Sequence, residues 1–226
     1  MNGEVKVFVG STHAIDSRLK KAIYFLTKRL FDIFISIIGL ILLIPVSIIV
    51  KISYLLSKDY TSIFFVQDRI GKNGKIFKFY KFRSMIPNAD EELMKIIAKD
   101  EKLREEYTEN KKFKNDPRIT KIGKIIRKTS IDELPQFINI FLGDMSLIGN
   151  RPYLPREKND MLNYYDDIVK TKPGLTGYWQ VSGRSNLSFV KRLKLEQYYS
   201  NNASFKMDIK IFFKTFKVVL FGRGAK

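Results

Sequence analysis

The run LFDIFISIIGLILLIPVSIIVKISYLL, Leu30 to Leu56, decides what kind of fold this chain has. Asp32, Pro45 and Lys51 are its main interruptions. As one continuous helix it would be about 40 Å long at 1.5 Å per residue, enough for a tilted membrane span. The flanks argue against a simple span. Lys20, Lys21, Lys28 and Arg29 precede the run, and Lys51 and Lys58 follow it. Positive residues on both sides give a span no preferred orientation and suit a segment whose two ends stay at the cytoplasmic surface. Pro45 frees a backbone carbonyl and kinks a helix, which is the bend a re-entrant hairpin needs. A buried core helix is the plain alternative.

Composition narrows the chemistry. The 226 residues can bury one core and a small appendage. Cysteine is absent, so there is neither a disulfide framework nor a thiol nucleophile. The single histidine, His13, lies near the start outside any polar cluster and reads as a solvated surface residue. Carboxylates, hydroxyls and lysines are left as chemical candidates, and a hard, oxygen-preferring ion such as Mg²⁺ is the metal this inventory could hold. The formal charge of +18 calls for an acidic partner: nucleic acid, anionic lipid or a phosphorylated substrate. The apolar run favours lipid. No helix-turn-helix, zinc or RNP signature supports nucleic acid.

Outward from the apolar run, residues 1–27 read as a basic lead-in, flexible or lying on the membrane surface, and no cleavage site marks it as a removable signal. Ile63 to Met85 reads as a β-hairpin turning at Gly71-Lys-Asn-Gly74, with Asn73-Gly74 the turn signal. Alternation puts Lys81 and Arg83 on one face with Phe77 and Phe79. Asn88 to Lys111 reads as one charged helix capped by Asn88. Leu162 to Lys170 reads as a short polar helix. Phe205 to Phe221 is a basic amphipathic helix, suited to the membrane interface or to the protein's own core.

A second stretch carries the chemistry: RKTSIDELPQFINIFLGDMSLIGNR, Arg127 to Arg151. Ser130 followed three residues later by Glu133 reads as a capping box opening a short helix that Gly143 closes. The adjacent carboxylates Asp132 and Glu133 would sit in its first turn, where unpaired N–H groups and the helix dipole favour the ionised form that a carboxylate nucleophile needs. Acidic residues in a first turn are also ordinary helix chemistry. Pro135 cannot sit in a regular helix here, so either the helix begins near Leu134 or its first turn is distorted. Arg127, five residues before Asp132, either pairs with it or holds a substrate phosphate.

At these residues the sequence resembles the bacterial sugar transferase family, small monotopic phosphoglycosyl transferases. The likeness runs from Lys28 to Ala225 through Lys28-Arg-Leu-Phe-Asp32, Tyr80-Lys-Phe-Arg-Ser-Met85, Asp116-Pro-Arg-Ile-Thr-Lys-Ile-Gly123, the Asp132-Glu133 run, Gly143 to Gly149, Arg151-Pro152, Lys172 to Gly177 and Gly183-Arg184. The resemblance implies that Asp132 attacks the β-phosphate of a UDP-sugar, releasing UMP, and that the aspartyl phosphosugar is passed to a polyprenyl (undecaprenyl) phosphate with Mg²⁺ required. Asp132 and Glu133 are then the catalytic and metal-binding pair, with Glu133 binding Mg²⁺, orienting the lipid phosphate or accepting its proton. Lys81, Arg83, Arg127 and Arg151 become ligands of the transferring phosphoryl group. Gln180 and Arg184 become substrate contacts.

Three positions depart from the family pattern. Ile44 stands where Ser commonly precedes the proline, which leaves the sharpness of the bend open. Asn150 replaces the first proline of Gly-Pro-Arg-Pro, so the loop presenting Arg151 is expected to be less rigid. Glu196 replaces Asp, so any metal or substrate role there acts through a longer side chain.

The expected molecule is an α/β (helix-rich α+β) monotopic enzyme on the cytoplasmic face of the bacterial inner membrane. It has a lead-in at 1–27, a re-entrant helix hairpin at 28–57 and one compact cytosolic catalytic domain at 58–226. The rival is a non-catalytic basic membrane adaptor that binds anionic lipid.

Overall fold

A single helix, α1 (Phe8–Leu56), carries the apolar run and continues through Pro45 and across the expected boundary at residue 27 as one element. The computed structural model describes residues 8–110, 113–183 and 187–220, with side chains at 18–109, 113–183 and 187–217. A separate two-helix hairpin is not shown; among the described residues one helix is long and apolar enough to cross a membrane. Its outer face is bare: Phe34, Ile41, Ile44, Ile48, Ile49 and Leu56 are all exposed. So large a contiguous apolar surface marks a lipid or protein contact rather than a face in water.

The inner face explains why α1 belongs to the domain. Arg29 donates to the carbonyls of Ile140 and Phe141, 2.6 and 2.8 Å away, supplying a cation to the last carbonyls of α5 (Gln136–Leu142). Buried Asp32 accepts from the N–H of Leu147 at 2.8 Å and from Ser146 Oγ at 3.1 Å. Near the other end, the Tyr54 hydroxyl donates to the carbonyl of Arg83. Contacts with one domain thus run from Arg29 to Tyr54, roughly 37 Å of helix.

The hairpin forms as expected. β1 (Phe64–Ile70) pairs antiparallel with β2 (Ile76–Phe82), and Asn73 and Gly74 take the positive φ values of 56° and 77° that the turn needs. β3 (Ser146–Ile148) and β4 (Gly174–Thr176) form a second, parallel pair. The remaining helices are α2 (Ala89–Lys99), α3 (Glu101–Asn110), α4 (Lys121–Lys128), α6 (Tyr165–Ile168), α7 (Phe189–Asn202) and α8 (Phe205–Leu220). The main core gathers Phe79, Ile140, Met145, Leu147, Tyr199 and Ile211, so β2, α5, β3, α7 and α8 meet at one place. A second cluster, including Leu43, Val50, Phe82 and Ile126, packs α1 over β2 and α4.

Several local expectations are corrected. The single helix from Asn88 to Lys111 is two helices that break at Asp100, whose φ and ψ of −125° and 111° are extended. The Asp100 carboxylate accepts from the N–H of Leu103 and so starts α3, whereas Asn88 sits at φ 58° with no side-chain cap. The polar helix at 162–170 is a 3₁₀ stretch, Asn159–Tyr164, followed by the four-residue α6. On α8, Asp208 and Ile211 are buried while Phe205, Phe213 and Phe216 are exposed, so core and outer surface are served by opposite faces of the same helix.

Gly123 lets α4 lie directly against the backbone at Ser84. A Cβ there would lie 1.9 Å from the carbonyl oxygen of Ser84. Gly123→Ala is expected to cost about 1–3 kcal/mol through displacement of α4, lowering the melting temperature by several degrees. Thermal unfolding of the purified protein in detergent checks this, and an unchanged midpoint would refute the close approach.

Candidate active site

Asp132 and Glu133 lie in a 3₁₀ turn, Ile131–Glu133, ahead of α5 rather than in its first turn. The capping box is absent: Ser130 is at φ 58° and its hydroxyl caps nothing. Pro135 is the reason. Its ring and missing N–H postpone the α-helix to Gln136, and Gly143, at φ 91°, closes that helix as expected. The turn aims both carboxylates at the hairpin, where Lys81 Nζ lies 3.4 Å from Asp132 Oδ2 and 3.2 Å from Glu133 Oε1.

The two acids differ in their surroundings. The side chain of Asp132 is only 10% exposed and that of Glu133 is 37% exposed. Burial pushes the Asp132 carboxyl above the usual aspartate range, with Lys81 pulling it down, Glu133 pushing it up and Arg127 pulling it down. Desolvation therefore outweighs the helix-entrance effect expected from the pattern, because the turn is short and the side chain faces inward.

Arg127 reaches the same place from α4. Its Nε donates to Ser84 Oγ at 2.8 Å, and its charge acts on Asp132. Arg83 does not face the dyad pair in this way: Nε donates to the Ser62 carbonyl, Nη1 to the Met85 carbonyl and Nη2 to Asp59 at 2.9 Å. Its guanidinium also stacks over the Tyr54 ring, so this arginine ties β2 to the end of α1.

Arg151 stands in a loop that is held more firmly than expected. Asn150 is buried, and its Nδ2, with two N–H bonds, lies within hydrogen-bonding distance of Ile168 O, Thr171 Oγ1 and Ser200 Oγ, the last at 2.6 Å. A side-chain amide fixed on three segments thus does the work of a ring-restricted φ. Glu196 contributes through the backbone: fully buried, it accepts the N–H of Arg151 at 2.8 Å. Burial raises its carboxyl to about 7 despite the opposing pull of Tyr153, the Arg151 N–H and the charges of Arg151 and Arg192. Gln180 donates to the carbonyl of Leu175 at 3.1 Å, a loop contact. Arg184 lies outside the described residues.

One positioning residue was passed over in the sequence. Asn139, fully buried in α5, accepts the N–H of Tyr80 and donates to the carbonyl of Lys78, 3.1 and 2.6 Å away. It locks the helix that follows the dyad onto the strand carrying Lys81. A lone amide inside the apolar series Phe137, Ile138, Ile140 and Phe141 was the available signal.

The site therefore presents a buried carboxylate, a second half-exposed one, and cations converging from β2 and α4. Among the described residues no group of three or more metal-type side chains occurs. Two adjacent carboxylates nevertheless suit Mg²⁺, which keeps waters and takes one or two protein carboxylates alongside substrate phosphates.

The profile of the family described as bacterial sugar transferase matches residues 23–222. The chain is 42% identical over 211 residues to the undecaprenyl-phosphate galactose phosphotransferase of Salmonella typhimurium, covering 93% of this chain and 44% of the relative. It is 44% identical to the galactosyl transferase CpsE of Streptococcus agalactiae, covering 98% and 49%. With the exopolysaccharide production protein ExoY of Sinorhizobium fredii it shares 39% identity over 88% of each chain. The chain thus spans about half the length of the first two relatives and most of the third.

Proposed function

The chain belongs to the bacterial sugar transferase family, and on that premise we propose that it transfers a sugar-1-phosphate from a UDP-sugar to a polyprenyl phosphate, releasing UMP. Asp132 is the nucleophile. One of its carboxylate oxygens bonds to the β-phosphorus as the bond from that phosphorus to the bridging oxygen breaks and UMP departs. The lipid phosphate oxygen then attacks the same phosphorus and frees the carboxylate. The observation that carries this proposal is the buried Asp132 held against Lys81, since an adaptor for anionic lipid has no use for a desolvated carboxylate.

Lys81 and Arg127 counter the repulsion between an anionic nucleophile and an anionic diphosphate. Glu133, more exposed and bonded to the same lysine, would orient the incoming lipid phosphate. Asp132 and Glu133 would hold Mg²⁺, which when bound supplies further neutralisation of phosphate charge.

Location follows from α1. Arg29, in its basic stretch, and Tyr54, near its far end, are bonded to the same domain, which supports a monotopic, re-entrant attachment at the cytoplasmic face of the inner membrane. The bare outer face of α1 and the exposed Phe213 and Phe216 of α8 would then share the lipid surface. Anchoring keeps the dyad at headgroup level, where a polyprenyl phosphate presents its charge.

The covalent step is tested by exchange. Radiolabelled UMP is expected to enter UDP-sugar in the absence of any lipid acceptor, because the first step alone is reversible. A folded, Mg²⁺-supplied preparation that turns over with acceptor but never exchanges without it would exclude the two-step scheme.

A further inference from the structure

Building on the donor chemistry proposed above, we propose that Arg69 is a diphosphate-binding residue, continuing a row of cations along the hairpin from Lys81 to Arg151. Three observations carry it. In the register of the hairpin Phe65 lies opposite Lys81, Gln67 opposite Phe79 and Arg69 opposite Phe77, so alternation sets Arg69 on the same face as Lys81. Both cations lie over one ring, Arg69 Cζ 5.2 Å and Lys81 Nζ 5.7 Å from the centroid of Phe79, and are thus at most about 11 Å apart. Arg69 also reaches the Arg151 loop, where Nη1 donates to the carbonyl of Pro152 at 2.9 Å.

The donors of Arg69 are incompletely used. Nη1 serves Pro152 and Nη2 serves Gln67 Oε1 at 2.7 Å, while Nε is buried without a partner. A guanidinium has five N–H bonds, so besides the buried Nε one N–H remains on each Nη. Among the described residues no carboxylate bonds to it. Glu157, the strongest opposing charge, commits Oε2 to the N–H of Leu154. Burial and the neighbouring Arg151 push the Arg69 guanidinium down to about 9. A guanidinium with unused Nη donors, bonded to the loop that carries a second arginine, suits a multiply charged anion, and its fork matches phosphate oxygens.

The alternative is that Arg69 only pins the Pro152 carbonyl. Equilibrium binding of uridine, UDP and a short-chain polyprenyl phosphate to the full chain in detergent separates the two. In Arg69→Met the ratio of UDP to uridine affinity is expected to fall about 10- to 100-fold, with uridine and lipid phosphate affinities unchanged. Arg69→Lys, which keeps the charge without the fork, is expected to lose about 3- to 10-fold, and it decides the matter if the methionine variant does not fold. An unaltered ratio, an equal fall for uridine and UDP, or a loss confined to the lipid phosphate would each overturn the proposal. An Arg69-dependent preference for UDP in a protein that never releases UMP would instead uphold this site and defeat the transferase proposal.

Discussion

Asp132→Asn is expected to abolish UMP release, with a loss of at least about 10⁴-fold in rate, and to leave no sugar label on the protein. Asparagine preserves the shape of the side chain and removes the atom that bonds to phosphorus. Glu133 cannot substitute, because its longer side chain is far more exposed and is not held in the buried position of Asp132. The same substitution is expected to raise the melting temperature at neutral pH. Burial lifts the folded-state pKa of Asp132 above its unfolded value. The stabilisation associated with this group is then fully present below the unfolded pKa and is lost as pH rises through the folded pKa. Ionised Asp132 therefore burdens the fold at neutral pH, and an uncharged amide relieves it. Thermal melts of both proteins at neutral and acid pH check the sign: the gain should appear at neutral pH and vanish in acid. A variant that is less stable at neutral pH, or one that still turns over, would contradict the assignment.

Replacing Lys81 by Met is expected to lower kcat/KM by about 10²–10³-fold, the second largest effect. Lys81 is the cation shared by both carboxylates, and among the charges that pull the Asp132 carboxyl down it acts most strongly. Its removal should raise that carboxyl further, so the acid limb of the pH–rate profile moves to higher pH and part of the lost rate returns in alkaline buffer. In the parent, activity should already fall as pH drops through a pKa above the ordinary aspartate range. Lys81→Arg should recover rate incompletely, since a planar fork cannot match two carboxylates met by one ammonium. Profiles of the three proteins in the same buffers decide it. An acid limb that stays put in Lys81→Met would mean that the lysine does not act on the nucleophile.

These two expectations draw on different kinds of information. The adjacency of Asp132 and Glu133 and the presence of Lys81 on an alternating strand are local patterns, visible as soon as the chain is read in order. That Lys81 and not Arg83 meets the dyad is not local. The two side chains leave the end of β2 on one face, yet Asp59, Ser62 and Met85 divert the second into a strut for α1. Position 150 makes the same point. Replacing a proline by asparagine reads as a loss of stiffness until Thr171 and Ser200 come within reach of its amide.

By itself, the sequence determined the long apolar helix, the hairpin and its turn, and the helix end at Gly143, because each follows from periodicity, backbone restriction or composition over a few residues; it also showed Asp132 and Glu133 side by side, but their proposed role rests on the family resemblance. Only the tertiary structure decided which carboxylate is buried, which cation it meets, and that α1 is bonded to one domain at Arg29 and again at Tyr54. Desolvation and charge pairing depend on neighbours such as Lys81 and Asp132, 51 residues apart, and no local pattern encodes that meeting.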